Sequence, residues 1–163
     1  MDHLKLLEQW HKGLRIAHKA HQQAAVKFER NGRWLGAATV IASTIVGTSL
    51  FADASSSLDT AWKISAGVLS LVAAILSAIQ GTLKFSETAA LHRSAAQRYG
   101  PLRREVEEMI ATSGAGGNVE PSRISDLRKR WDEIDADAPS VPQDLYDAVV
   151  ASLQSGHAPA RTT

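Results

Sequence analysis

The sequence of 163 residues contains no cysteine. A disulfide framework, a thiolate metal site and a cysteine nucleophile are therefore excluded. Lysine and arginine total 18 against 17 aspartate and glutamate residues, so no strong net charge attracts the chain to nucleic acid. Charged residues make up 21% of the chain, yet two long stretches contain none.

Motifs that would indicate catalysis are also missing. The stretch GAGG, residues 114–117, lacks the following lysine and the preceding strand that a phosphate-binding loop requires. No Gly-x-Ser-x-Gly nucleophile turn is present. We therefore predict that the protein is not an enzyme and that it needs no cofactor.

A small set of polar residues remains as candidates for a site. His18 and His21 share a helical face, and Glu87 with His92 could face them from a second helix. Two histidines three residues apart are weak evidence for a metal or acid–base site, so we favour polar positions that set helix register and predict no metal. The candidates for a cytoplasmic seam or a ligand contact are His18, His21, Glu87, His92, Tyr99, Arg103 and Arg104. The two arginines suit an anionic ligand or lipid headgroups, although a solvated helix face is the more common role.

The two uncharged stretches are WLGAATVIASTIVGTSLFA, residues 34–52, and ISAGVLSLVAAILSAIQGTL, residues 64–83. A bilayer core of roughly 30 Å needs about 20 apolar helical residues, and both stretches approach this length. We predict two membrane-spanning helices. The alternative is a soluble all-α module that buries both helices, but a chain this short rarely encloses two helices that are apolar all round.

Charge asymmetry predicts the orientation of the two spans. Seven lysine and arginine residues precede the first span, whereas segment 53–62 has two aspartates and neither lysine nor arginine. The positive-inside rule therefore places both termini in the cytoplasm and the 53–62 turn outside. The 33 residues before the first span are too long and too polar for a cleavable signal peptide, so we expect this span to remain in the mature protein.

Small and polar residues recur along both spans. Ala66, Ser70, Ala74 and Ala78 repeat every fourth position, as do Thr39, Ser43 and Gly47, which predicts close helix pairing within or between subunits. A two-span subunit can conduct only by oligomerising around hydroxyls or amides. The candidates for pore lining or helix packing are Ser43, Thr44, Gly47, Ser70, Ala74, Ser77 and Gln80. For any single one of them, hydrogen bonding within the helix pair is the simpler role.

Two amphipathic arms flank the spans, at residues 3–33 and 84–112. Apolar residues of the first arm follow a heptad pattern, and those of the second continue a similar stripe. The first stripe comprises Leu7, Trp10, Leu14, Ala17, His21, Ala24 and Phe28, and the second comprises Leu91, Ala95, Tyr99, Leu102, Val106 and Met109. We expect an antiparallel pair of arms, with a kink or restart near Gly100 because Pro101 lacks a backbone donor.

The predicted fold class is all-α, with a two-span transmembrane hairpin, long cytoplasmic extensions and short C-terminal helices. We expect a two-span helical domain over 1–112, a linker over 113–121, cytoplasmic helices over 122–154 and a disordered tail over 155–163. Ile124, Leu127, Trp131 and Ile134 mark the first C-terminal helix, and Pro142 lies near the start of the second.

Three stretches together resemble the SLATT family of two-span membrane domains. They are AAVKFERNGRWLG entering the first span, TIVGTSLF closing it, and LKFSETAALHRSAAQRYGPLRREVE leaving the second. The similarity covers about residues 15–112 and extends through RWDEIDADAPSVP near 130–142. Pro101 departs from the continuous exit helix that the resemblance leads us to expect.

The resemblance implies a membrane effector of a bacterial anti-phage or conflict system, located in the inner membrane. Such an effector is expected to oligomerise with itself and to form a pore or disrupt the membrane when triggered. The implied partners are membrane lipid and a separate sensor or nucleotide-synthesising protein, without direct nucleic-acid binding. The alternative is a non-conducting membrane scaffold that recruits a cytoplasmic partner through its helical arms.

Overall fold

The computed structural model describes residues 3–53, 60–115 and 117–155, without the side chains of 49–53, 60 and 63. Five helices follow one another: α1 (His3–Asp53), α2 (Thr60–Leu83), α3 (Phe85–Gly114), α4 (Pro121–Asp137) and α5 (Gln143–Gln154). No strand occurs in these ranges, so the predicted all-α class is confirmed. Most of the predicted 53–62 turn and of the predicted 155–163 tail lies outside the described residues.

The helices form two compact units. One unit, Lys27–Glu87, contains the second half of α1 together with α2 and the first three residues of α3, and we call it the span unit. The other combines Met1–Val26 with Thr88–Thr163, and we call it the arm unit. The first half of α1, most of α3, and helices α4 and α5 thus belong to the arm unit.

The span unit turns its large apolar side chains outward. Val40 is 65% exposed on α1, and Leu71 is 63% exposed on α2. Among the described side chains of this unit only those of Ala42 and Ala73 are buried. Such a surface is unfavourable in water but matches the acyl chains of a bilayer, where apolar side chains need no protein cover.

One helical stretch in the described ranges, Ile64–Gly114, contains a window apolar enough to cross a membrane, with a mean hydropathy of 1.9. This stretch includes the second predicted span and supports it. The first span remains a prediction, although α1 is helical throughout 34–52.

Contacts within the span unit show that α1 and the segment from α2 to the start of α3 run in opposite directions. Phe28 and Phe85 place their ring centroids 6.3 Å apart, and a Cβ added at Gly32 would lie 3.0 Å from the Cβ of Phe85. Further along α1, a Cβ added at Gly36 would lie 3.3 Å from Nε2 of Gln80. The partner of Gly32 is Phe85 and that of Gly36 is Gln80, so the partners have lower residue numbers as α1 advances. The two segments therefore run antiparallel, as a hairpin requires.

Lys84 separates α2 from α3. Its φ of 41° is in the left-handed region, which a lysine rarely adopts and which ends an α-helix. Its ammonium group pairs with Glu87 in the first turn of α3 at 3.0 Å. The apolar helix and the exit helix are therefore two elements rather than one.

The arm unit has an apolar core built by α1, α3 and α4. The antiparallel pairing predicted for the two arms is present here, because His11 contacts Glu107 whereas His21 contacts His92. The buried core comprises Leu7, Leu14, Ala95, Tyr99, Leu102, Val106, Met109, Val119, Ile124, Leu127 and Ile134. Burial of this many aliphatic and aromatic side chains is the main favourable term for folding of the unit.

Two details of α3 differ from the predictions. Leu91 was placed on the buried stripe but is 51% exposed, and the buried residue one position later is His92. The residue that precedes Ala95 on the buried face is His92, three positions earlier, and not Leu91, four positions earlier. His92 is buried because it forms a hydrogen bond with His21 on α1. Of the kink or restart predicted near Gly100, the restart is wrong, since α3 remains helical from Phe85 to Gly114 with Pro101 inside it.

The burial pattern explains why α3 continues through a proline. Pro101 itself is exposed, whereas Tyr99, Gly100 and Leu102 beside it are buried. Proline in a helix interior costs about 3 kcal/mol because one backbone hydrogen bond is lost and the ring crowds the preceding turn. Packing of the neighbouring side chains against α1 and α4 offsets that cost.

Candidate functional site

Two histidines meet in the interior of the arm unit. His21 on α1 is 5% exposed and His92 on α3 is 1% exposed, and their Nδ1 atoms lie 3.0 Å apart. One imidazole donates this hydrogen bond and the other accepts it, so the pair shares a single proton between the two Nδ1 atoms. Burial, followed by the neighbouring His92, lowers the pKa of His21 to about 4, and burial also lowers the pKa of His92. The pair is therefore neutral at neutral pH.

A second hydrogen-bonded group lies beside the histidine pair. The Tyr99 hydroxyl on α3 donates to Oδ1 of Asp135 on α4 at 2.5 Å, and the Trp131 indole N–H donates to the same oxygen at 3.2 Å. Burial, then the bond to Asp135, raises the pKa of the Tyr99 phenol. The ring of His21 lies 5.4 Å from the ring of Tyr99, centroid to centroid, so the two groups are in contact.

These residues line one side of a cavity of about 400 Å³ in the arm unit. Its walls are three aromatic rings (Tyr99, Trp131, Tyr146), the polar side chains of His21, Asp135 and Gln143, the aliphatic Val141, and the small residues Gly13, Ala17 and Ala20. The small residues of α1 leave room for the indole of Trp131, since a Cβ added at Gly13 would lie 2.9 Å from Cη2 of that ring. Trp131 also packs edge-on against Trp10, with centroids 6.0 Å apart.

A separate basic cluster, formed by His18, Arg103 and Arg104, lies where α1 packs against α3 near Gly100. His18 Nε2 and Arg104 Nη1 are 3.9 and 3.8 Å from a Cβ added at this glycine. Burial, then the charges of Arg103 and Arg104, lowers the pKa of His18. Nδ1 of His18 and Nε of Arg103 are buried without a hydrogen-bond partner among the described residues, although Arg103 Nε lies 3.6 Å from Glu107.

The structure thus divides the predicted seam residues into separate groups. It brings His21, His92 and Tyr99 together and gathers His18 with Arg103 and Arg104 in the basic cluster. Glu87 belongs to neither group, because it lies in the span unit and pairs with Lys84. Within the described residues no group of three or more metal-ligating side chains is found.

The candidates in the spans are mostly exposed in the single chain. Ser43, Thr44, Ser70, Ala74, Ser77 and Gln80 are all exposed. The Thr44 hydroxyl donates to the Val40 carbonyl at 2.8 Å, so its proton is bound within its own helix and its oxygen remains able to accept. Nothing in the described residues lies within 4 Å of a Cβ added at Gly47, whereas Gly36, which the prediction omitted, is the glycine that contacts Gln80.

Most residues of the cavity were not predicted as site residues, among them Trp131, Asp135 and Tyr146. Trp131 was assigned only to the apolar face of its helix, and Asp135 and Tyr146 were not considered. Trp131 and Asp135 are four residues apart on α4, which places an indole donor next to a carboxylate on one helix face. That spacing was the available signal, but nothing local indicates that Tyr99 would reach the same carboxylate.

An all-helical chain with an outward-facing apolar helix of membrane-spanning length, joined to a folded helical module, defines a helical membrane protein. The chain belongs to the SMODS and SLOG-associating 2TM effector domain family 4, whose model matches residues 6–158. The predicted SLATT membership is therefore confirmed, and it makes the protein a membrane effector domain of this class. Neither a curated protein nor a solved structure matches the chain.

Proposed function

We propose that the protein is an oligomeric membrane effector whose spans rearrange to open a pathway through the bacterial inner membrane during a conflict response. In this proposal both termini are cytoplasmic, and a separate sensor or a nucleotide signal triggers the change. The arm unit receives the signal, and the span unit undergoes the rearrangement. The observation that carries the proposal is the outward-facing apolar surface of the spans in a chain of the 2TM effector family.

Exposed polar residues in the spans support the oligomer. In lipid an exposed hydroxyl or amide is unfavourable, so such groups tend to face a protein neighbour or water. Ser70, Ser77 and Gln80 lie on α2 and are exposed in the single chain. Together with Ser43 and Thr44 on α1 they are the groups that we assign to the subunit interface or to a conducting path.

Membrane leakage in cells tests the proposal. Cells that express the protein with its genomic neighbours are challenged with phage, and uptake of a membrane-impermeant dye and membrane potential are followed. We expect dye entry and depolarisation, and both should fall when Ser70 and Ser77 are replaced by leucine. Ser125→Leu on the exposed face of α4 is the matched control and should behave like the wild type. Intact membranes accompanied by full growth arrest would contradict the proposal.

The absence of native cysteine allows the topology to be tested directly. Single cysteines are introduced at Ser57, between the spans, and at Ser125, on α4. A membrane-impermeant maleimide added to spheroplasts should label position 57 in intact membranes and position 125 only after permeabilisation. Labelling of position 125 without permeabilisation would place the arm unit outside and exclude cytoplasmic termini.

The alternative, a non-conducting scaffold, is supported by one observation of its own. The arm unit is a folded module with a buried core and a cavity, as a partner-binding domain requires. The scaffold predicts that replacing residues 34–83 by an unrelated two-span hairpin preserves activity, whereas the effector predicts that activity is lost. Recovery of the protein in the soluble fraction without detergent would exclude both and favour a soluble all-α module.

A further inference from the structure

The cavity of the arm unit has the size and lining of a small-molecule site. Ligand pockets in proteins typically enclose about 300–1,000 Å³, with aromatic walls and a few polar groups that orient the ligand. The volume here is about 400 Å³, and the walls include the rings of Tyr99, Trp131 and Tyr146. None of the residues that the sequence predicts for a conducting path lies in it.

The charge of the lining selects the kind of ligand. Among the residues that the structure describes, Asp135 is the one carboxylate that lines the cavity, and no lysine or arginine lines it. His21, the remaining titratable base in the wall, is uncharged at neutral pH because burial lowers its pKa to about 4. The charged group of the lining is therefore the carboxylate of Asp135, an exposed residue, which disfavours a phosphate or carboxylate group and favours a positively charged one.

The carboxylate is held in place before any ligand arrives. Both donors that the structure gives Asp135, the Tyr99 hydroxyl and the Trp131 indole, bind its Oδ1 atom. No described residue donates to Oδ2. An acceptor that is fixed through one oxygen and unoccupied at the other is preorganised to accept a charged N–H donor. The aromatic rings around it attract cations through their π faces.

We infer that this cavity binds a small organic cation, an amine or guanidinium compound, whose charged nitrogen pairs with Oδ2 of Asp135. Residues of α1, α3, α4 and α5 line the cavity, so such a ligand would contact all four helices of the arm unit at once. Binding would stabilise the arm unit in the arrangement described here.

Binding to the purified full chain in detergent micelles tests the inference. Agmatine, which carries a guanidinium and an ammonium group, is titrated by calorimetry, with adenosine monophosphate as an anionic aromatic probe. We expect saturable binding of agmatine and weaker or no binding of the nucleotide. Tighter binding of adenosine monophosphate, or no binding of agmatine, would overturn the inference.

Variants assign the binding to the carboxylate. Asp135→Asn should weaken agmatine binding by ~10-fold or more, because a charge-assisted hydrogen bond becomes a neutral one. Asp132→Asn changes the net charge equally on the same helix, but Asp132 does not line the cavity and is paired with Arg128, so binding should be unchanged. Equal weakening by both variants would attribute the effect to overall charge and overturn the assignment.

A third variant separates the charge of the carboxylate from its positioning. Tyr99→Phe removes one of the donors that hold Asp135 but leaves the charge, so agmatine binding should weaken by ~3-fold, less than in Asp135→Asn. If Tyr99→Phe weakens binding as much as Asp135→Asn, the cavity depends on the hydrogen bond and not on the charge, and the inference is wrong. These measurements use purified protein, so they can fail while the leakage experiment succeeds, and the reverse.

Discussion

His21 on α1 and His92 on α3 join their Nδ1 atoms at 3.0 Å in the interior of the arm unit. The structure surrounds them with the Tyr99 ring and with Asp135, whose charge raises the pKa of His21 but does not outweigh burial. A neutral pair satisfies this geometry because one ring donates and the other accepts. A doubly protonated pair has two donors facing each other and cannot form the bond.

The histidine pair predicts a loss of stability in acid. An unfolded histidine binds a proton below about pH 6.5, whereas folded His21 resists protonation until about pH 4. The unfolded chain therefore binds more protons between these values, and the free energy of unfolding falls as the pH decreases from about 6.5 to 4. The loss attributable to His21 is at most about 3 kcal/mol. Thermal unfolding in detergent, followed by circular dichroism across this range, measures it.

The control for this prediction separates the pair from other titrating groups. The double variant His21→Leu with His92→Leu should show a markedly shallower dependence on pH, since only the other titrating groups, His18 among them, then contribute. His3→Gln, at an exposed position near the start of α1, should retain the wild-type dependence. An equal slope for the wild type and the double variant would show that the pair is not the cause.

The hydrogen bond from Tyr99 to Asp135 predicts a measurable contribution to stability. Tyr99 is 2% exposed, and its hydroxyl donates to a charged acceptor. Tyr99→Phe should lower the free energy of unfolding by about 1–3 kcal/mol. Tyr146→Phe is the matched control, because Tyr146 is 41% exposed, and it should have little effect. Equal losses for the two variants in thermal unfolding would contradict the role given to this bond.

We expect the two spans to pack closely at Gly36. A side chain at Gly36 meets Gln80 of α2, so Gly36→Leu should push the helices apart and cost about 1–3 kcal/mol. The measurement is disulfide cross-linking between cysteines introduced at Phe28 and Phe85, whose rings lie 6.3 Å apart. Gly36→Leu should reduce the yield several-fold, whereas Gly47→Leu, which meets nothing within 4 Å, should not. A larger effect at Gly47 would locate the tight contact elsewhere.

We expect replacement of Pro101 by alanine to stabilise the protein. Pro101→Ala restores a backbone donor inside α3 and should raise the free energy of unfolding by about 1–3 kcal/mol, less the entropy that the unfolded chain gains. Pro121→Ala is the matched control, because Pro121 is in the first turn of α4, where no intrahelical donor is needed. It should leave the melting temperature unchanged or lower it slightly. A destabilised Pro101→Ala variant would indicate that the proline ring is required for packing.

Much of the helical arrangement follows from local pattern. The spacing of Leu7 and Leu14 predicted the buried face of α1, and Ile124 and Leu127 predicted that of α4; all four are buried. The stripe on α3 was predicted except at its first position, because one leucine and one histidine compete there and hydrophobicity alone favours the leucine. Packing against His21 buries His92 and not the leucine, since α3 is rotated to bring the two imidazoles together.

Periodicity, hydropathy and family motifs are carried by neighbouring residues, so they sufficed to predict an all-helical chain of the SLATT family with two uncharged stretches. The packed structure was needed to show that Tyr99 and Trp131 share the Asp135 carboxylate, that Gly36 and not Gly47 meets the second span, and that a cavity opens between the arm helices. Such contacts depend on how each helix is rotated and shifted against its neighbours. That rotation minimises the energy of the whole packed unit, so no single stretch of sequence specifies it.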